Sequence, residues 1–158
     1  MPDKKTNKSN DKGRYLLIPG FHFEVDFSPS LGNIQDTRFQ EVSGLSAEIS
    51  VEEVIEGGVN DYVHKLPKNV KYPNLVLKRG MAENASELVR WAEDAINNFM
   101  IEPRDLVVSL LNNKHEPVKT WNVVNAYPVK LQFSEFNAEK NAIVIETFEL
   151  AFRYFKLK

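Results

Sequence analysis

The sequence predicts a mainly β domain: two packed antiparallel sheets, a sandwich or small barrel, with one flanking α-helix. Three observations carry this. Apolar and polar residues alternate with period two in four long segments, the repeat of a strand with one buried face. One segment repeats instead at helical spacing. The chain has 158 residues, 42% apolar and 27% charged, the size and composition of one ordinary globular domain.

Taken in order, residues 1–13 (MPDKKTNKSNDKG) carry four Lys, two Asp and no apolar side chain beyond Met1, and read as a flexible polar arm ahead of a domain over 14–158. No apolar stretch backs the arm's charges as a secretory signal requires. The run Leu16-Leu17-Ile18 is cut by Pro19, too short to cross a bilayer, so no membrane anchor is expected. Within Tyr15 to Phe27, Phe21, Phe23, Val25 and Phe27 alternate with His22, Glu24 and Asp26, after a bend at Pro19-Gly20. A turn-rich linker covers Ser28 to Asp36. Alternation resumes with Leu45, Ala47, Ile49 and Val51 against Ser46, Glu48, Ser50 and Glu52. Short strands fit Leu75 to Lys78 and Leu106 to Leu111. The most regular face is Trp121, Val123, Tyr127, Val129, Leu131 and Phe133, interrupted only by Asn125. The last strand, Ala142 to Phe155, sets Val144, Phe148, Leu150, Phe152 and Tyr154 against Thr147, Glu149 and Arg153. Over Glu87 to Met100, the residues Leu88, Trp91, Ala92, Ala95 and Phe99 form one helical stripe. Asn84 is the expected N-cap, with Glu87 completing a capping box, and Pro103 blocks continuation.

Charge and chemistry narrow the function. Lys plus Arg total 20 and Asp plus Glu 22, so the basic excess of a nucleic-acid binder is missing. With no cysteine, disulfides, thiolate metal sites and cysteine nucleophiles are excluded. His22, His64 and His115 share no metal-ligand spacing, and Gly57-Gly58 is no phosphate loop. No cofactor is implied and no catalytic constellation stands out, which favours a structural or binding protein over an enzyme. The near-neutral sum hides an order. Glu48, Glu52, Glu53 and Glu56 form an acidic segment, and His64 to Arg79 follows with Lys65, Lys68, Lys71, Lys78 and Arg79 and no acid. Such a pair suits head-to-tail contact between copies, which closes rings or extends filaments.

The ordered set Phe39-Gln-Glu-Val-Ser-Gly-Leu45, Glu52-Glu-Val-Ile-Glu-Gly-Gly58, Lys65-Leu-Pro67, Tyr72-Pro-Asn-Leu-Val-Leu-Lys-Arg-Gly80, Trp121-Asn-Val-Val-Asn-Ala-Tyr-Pro-Val-Lys130 and Ile145-Glu-Thr-Phe-Glu-Leu-Ala151 resembles the tail tube proteins of contractile-tailed phages and extracellular contractile injection systems. The resemblance runs over residues 15 to 155. It implies two packed sheets with a flanking helix, and hexameric rings stacked into a hollow tube within a sheath. It also implies a baseplate and spike at one end, a terminator cap at the other, and cargo or DNA in the lumen. The type VI secretion tube protein shares this plan. Synthesis in the bacterial cytoplasm and assembly into a particle are the corresponding expectations.

Within that frame, the polar faces of two strands are expected to line the lumen and join edge to edge around the ring: Ser46, Glu48, Ser50 and Glu52 with Thr147, Glu149 and Arg153. Closing six copies in this way abolishes exposed strand edges. Contacts between subunits or rings are assigned to Glu53, Glu56, Gly57, Gly58, Lys65, Lys68, Lys71, Lys78 and Arg79, the glycines permitting a projecting turn. The competing reading is a monomeric or dimeric β-sandwich ligand-binding module. A hydrolase with a carboxylate site is the third.

Overall fold

The computed structural model describes residues 22–31, 37–58, 61–81, 86–136 and 143–158. The arm 1–13, Phe21, the Pro19-Gly20 bend, Asn84 and Ala142 lie outside them. The strands are β1 (His22–Ser28), β2 (Arg38–Phe39), β3 (Glu41–Ser43), β4 (Glu48–Val54), β5 (His64–Lys71), β6 (Leu75–Gly80), β7 (Arg104–Leu111), β8 (Pro117–Phe133), β9 (Ile145–Ala151) and β10 (Tyr154–Leu157), with one helix, α1 (Glu87–Asn97), between β6 and β7. The expected mainly β architecture with one helix is what the chain adopts.

Eight strands form one antiparallel sheet in the order β2-β1-β7-β8-β9-β6-β3, with β10 also on β8, while β4 and β5 pair only with each other. The large sheet closes on itself. Its two end strands, β2 and β3, are consecutive in the chain and separated only by Gln40, whose N–H donates to the Lys78 carbonyl of β6 at 2.9 Å. One stretch of backbone is thus both ends of the sheet, while β10, paired only to β8 among the described residues, keeps one edge free. Val25, Phe27, Phe39, Leu75, Leu77, Leu106, Val108, Val123, Phe148 and Leu150 fill the interior, capped by Leu88, Trp91 and Ala92 of α1. Each such side chain contributes about 1.5–3 kcal/mol through the water it excludes.

Two expectations about phase are corrected. In β8 the buried residues are Val123, Ala126 and Pro128, and Leu131 packs on the core, so the inward phase shifts twice. Asn125 causes the first shift: it takes a left-handed φ of 60°, its N–H donates to Asp105 Oδ1 at 2.8 Å, and the pairing with β7 slips there. The second lies between Pro128 and Lys130, opposite β9. Tyr127 and Val129 are thereby turned off the core face. The other correction concerns β4, whose Ile49 and Val51 are 61% and 52% exposed rather than buried.

The helix is shorter than its stripe predicts. Ser86 is the N-cap and accepts the Val89 N–H at 3.2 Å, leaving Glu87 at the first helical position, 3.3 Å from Arg90. Leu88, Trp91, Ala92 and Ala95 are buried. Phe99 is not, because the helix ends at Asn97 with Asn98 as its cap and the chain turns left-handed at Phe99, φ 52°.

Gly44 is required where it stands. Its φ is 91°, and a Cβ there would lie 2.0 Å from the Asn74 carbonyl oxygen. Gly44 precedes β4 and Asn74 follows β5, so this close approach is the neck of the β4–β5 hairpin. Gly44→Ala is expected to cost about 2–3 kcal/mol, lowering Tm by roughly 5–10 °C in thermal denaturation followed by circular dichroism. Beside the neck, Tyr72 packs on Phe152 and Phe155 with ring centroids 5.6 and 5.7 Å away, anchoring the hairpin's base to the sheet.

Candidate assembly surface

The hairpin β4–β5 is exposed at all eight residues of β5 and six of the seven of β4. A lone two-stranded ribbon is marginal in water, so its shape here depends on the anchored neck and on its own cross-strand pairs. Glu48 stands opposite Lys71 and Glu53 opposite Lys65. Lys68 Nζ lies 3.7 Å from Glu52 and His64 Nε2 3.8 Å from Glu56. The acidic and basic segments therefore face each other first within one chain, because the antiparallel return lays one on the other. Exposed pairs of this kind contribute no more than about 1 kcal/mol each; they fix register more than stability. Opposite Ser50 the pairing slips. There the Ser50 hydroxyl donates to the Asn69 side chain and accepts the Asn69 N–H at 3.3 Å, while Pro67 occupies a position that asks no N–H of it.

The ribbon's two faces differ. Ile49 opposes Val70 and Val51 opposes Pro67, making one face largely apolar. Glu48, Ser50, Glu52 and Val54 alternate onto the other. At the far end Ile55 is 77% exposed, and the turn at Gly57-Gly58 follows, with Gly58 at φ 100°. An apolar face held out in solvent marks an interaction surface. Ser46, Glu48, Ser50 and Glu52, together with Glu53, Glu56, Lys65, Lys68 and Lys71, all belong to this hairpin or its approach.

The second group of expected lumen residues sits elsewhere. Thr147 and Glu149 alternate with the buried Phe148 and Leu150, so they point away from the core. Lys78 stands opposite Thr147 on β6 and 2.9 Å from Glu41 of β3; Lys130 of β8 is 3.2 Å from Glu149. The outer face of β3-β6-β9-β8 is thus a wall of interleaved acids and bases. Lys78 belongs to it, and Glu41 and Lys130, which sequence reasoning did not single out, do as well. Their signal was the alternate phase to Val42 and Leu131. Arg153 lies beyond the strand, at the bend into β10, with its N–H on the Val124 carbonyl.

Two assignments are overturned. β9 is paired on both sides, to β6 and β8, so it has no free edge with which to join a neighbour. Arg79 is only 4% exposed and turns inward: its Nε donates to Glu146 Oε2 at 2.9 Å and its Nη2 to Ser86 Oγ at 2.7 Å. An arginine in the buried phase of β6 cannot meet a second subunit.

His22 and His115, distant in sequence, come together with ring centroids 4.8 Å apart in a cleft of 470 Å³ that Glu24 and Arg38 also line. Among the described residues no group of three or more His, Cys, Asp or Glu is placed to hold a metal ion, and no helix is long and apolar enough to cross a membrane.

Comparison with known proteins places the chain. No curated protein matches it. Among solved structures, it resembles a chain of the extracellular contractile injection system PVC sheath–tube complex in the extended state, with 28% identity over 98% of this chain and 99% of that one and a TM-score of 0.72. A chain in the tube-terminating cap of the anti-feeding prophage is 27% identical over the same shares, with a TM-score of 0.74. A chain in the anti-feeding prophage baseplate is 30% identical, covering 87% of this chain and 91% of that one, with a TM-score of 0.72. The family model for the T4-like virus tail tube protein gp19 matches residues 19–156. The chain therefore belongs to the T4-like tail tube protein family.

Proposed function

We propose that this protein forms the inner tube of a contractile tail or injection particle, as hexameric rings stacked around a hydrophilic lumen. The observation that carries the reading is the β4–β5 hairpin, which pairs with no other strand among the described residues and holds an apolar face in solvent. A monomer gains nothing from such an element; a subunit repeated around a ring and along an axis does. The baseplate containing one similar chain is six-fold symmetrised, which supports six copies per ring. The similar chains of sheath–tube, cap and baseplate assemblies support sheath subunits, a terminator cap, and baseplate and spike proteins as partners.

For the lumen, the mixed-sign wall carrying Glu41, Lys78, Lys130, Thr147 and Glu149 is the better candidate of the two polar groups, and the polar hairpin face with Ser46, Glu48, Ser50 and Glu52 continues it. Interleaved charges let cargo or DNA slide past without a sticking point of one sign. Glu53, Glu56, Lys65, Lys68, Lys71 and the turn at Gly57-Gly58 are assigned to contacts between copies.

Size-exclusion chromatography with negative-stain electron microscopy tests this: rings or tubes are expected, and a lone 18 kDa species at all concentrations overturns it. Lys68→Glu with Lys71→Glu is expected to stop tube growth, by placing like charges against Glu52 and Glu48 and reversing the sign offered to a neighbour. Lys68→Gln with Lys71→Gln keeps the hairpin free of repulsion, and is expected to slow growth without stopping it.

A further inference from the structure

We infer that His22 and His115 together hold a divalent transition-metal ion of the class that prefers imidazole ligands, such as Zn2+, Ni2+ or Cu2+, and that the ion latches the start of β1 to the turn between β7 and β8. The strand register brings the two side chains together. His22 opens β1 and stands opposite Leu111, the last residue of β7. The chain then reverses through residues 112–116 into β8. That reversal carries His115 back to His22, with the two ring centroids 4.8 Å apart.

The turn fixes where His115 can go. Asn112 Oδ1 accepts the N–H groups of Lys114 and Glu116 at 2.8 and 3.0 Å, and the Asn112 carbonyl accepts the His115 N–H at 2.9 Å. Asn112 Nδ2 donates to Glu116 Oε2 at 3.1 Å. Within this frame His115 takes a left-handed φ of 60°. His22 is held by its ladder to β7. One donor thus sits on a paired strand and the other on a hydrogen-bonded turn, so a common ion asks for side-chain rotation and little else.

The spacing is that of a chelate. With metal–nitrogen bonds of about 2.0–2.1 Å, two imidazoles on one ion have ring centres about 4.5 Å apart for donors at a right angle and about 5.2 Å apart for tetrahedral donors. The observed separation lies between these. The ring planes are tilted by 41°, neither the offset stack nor the edge-to-face pair that aromatic attraction favours. Among the described residues neither imidazole has a hydrogen bond or ion pair to give up, whereas His64 lies 3.8 Å from Glu56. No third His, Asp or Glu is placed as a ligand among the described residues. The surrounding cleft of 470 Å³ has room for waters to complete the coordination shell.

The charges around the pair select the kind of ion. Glu24 and Arg38 stand opposite each other and both line the cleft, while Lys114 and Glu116 flank His115 in the turn. Acid and base offset each other on both sides. Ca2+ and Mg2+ need several oxygen ligands, and Glu24 is the one carboxylate among the lining residues. Two neutral imidazoles suit a borderline transition ion instead.

The test titrates full-length protein, below its assembly concentration, with ZnCl2 by isothermal calorimetry, and follows the imidazole resonances by NMR. One Zn2+ per chain is expected, with Kd in the micromolar range, the His22 and His115 signals moving and that of His64 staying. His22→Gln and His115→Asn are each expected to weaken binding about tenfold or more; asparagine is chosen at 115 because it tolerates the left-handed backbone. Both variants should keep the metal-free Tm within about 2 °C, and His64→Gln should bind as the unaltered protein does. Saturating Zn2+ should raise Tm by about 2 °C or more in the unaltered protein and in His64→Gln, and leave the other two variants unmoved. Ca2+ and Mg2+ should give neither heat nor shift. No Zn2+ binding up to about 1 mM, or binding undiminished by either substitution, overturns the inference. Loss of binding in His64→Gln with the other two variants normal moves the site to the hairpin and overturns it as well. One ion per two chains, dependent on the same histidines, would place each ion between copies and overturn the latch within one chain.

Discussion

Replacing Ile49 and Val70 together by serine is expected to raise the concentration needed for tube assembly about a hundredfold while leaving the subunit folded. The two residues face each other across the hairpin and are 61% and 46% exposed, so neither supports the monomer's core and Tm should hold within about 2 °C. The proposed tube contact covers their exposed area. Burying two aliphatic side chains contributes about 2–3 kcal/mol per contact, and each 1.4 kcal/mol is a factor of ten in association. The charged pairs on the same hairpin are weaker candidates for the driving force, since they are solvated and already matched within the chain. Light scattering against protein concentration gives the threshold directly. An unchanged threshold would mean that the apolar face of the hairpin is not what copies share. High salt adds a second axis: a contact held by the aliphatic pair should persist at 1 M NaCl, where exposed charges are screened within about 3 Å.

The closed sheet was legible in sequence wherever a strand has one wet and one dry side. β1 and β9 show the alternation, β6 and β7 show only as short apolar runs, and the helical stripe of Leu88, Trp91, Ala92 and Ala95 is equally plain. The hairpin was half-legible. Its first strand alternates, but the expected inward face, Ile49 and Val51, faces solvent, because alternation reports two unlike faces and not which of them is covered by the same chain. β5 was read only as a basic stretch: HKLPKNVK has no period, and a strand wet on both faces has no reason to acquire one. β2 and β3 are two and three residues long, too short to repeat anything. The bulge in β8 did leave a trace, the single polar Asn125 in an apolar series. Its meaning, a residue type tolerant of left-handed geometry placed where the phase turns over, emerges only with the register. Long-range polar pairing left the least. Glu146 lies in the buried phase of β9 between Ile145 and Thr147, but its partner Arg79 is 67 positions away, and nothing local marks the two as one unit.

That unit carries the largest expected effect on stability. Glu146→Leu should lower stability by about 3–5 kcal/mol, the usual result of deleting one partner of a buried ion pair, and Tm by about 10 °C or more. Glu146 and Arg79 are 2% and 4% exposed and 2.9 Å apart. The guanidinium also lies 5.8 Å from the Phe39 ring centroid and 5.5 Å from that of Phe148, and donates to Ser86, the cap of α1. These contacts come from β2, β9 and the helix start, and Arg79 itself is on β6. One side chain therefore spans the seam where the two ends of the sheet meet and fastens the helix above it. Taking away the carboxylate strips a buried cation of its counter-charge, so the penalty is mostly desolvation. Replacing both partners, Arg79→Met with Glu146→Leu, removes the charge along with its need for a partner, and should recover more than half of the loss. The double-mutant cycle, read by urea unfolding at concentrations below assembly, is then strongly non-additive. An additive cycle would show that the two residues stabilise the fold separately, through packing, and that the seam is held by Phe39 and Phe148 without the charge between them.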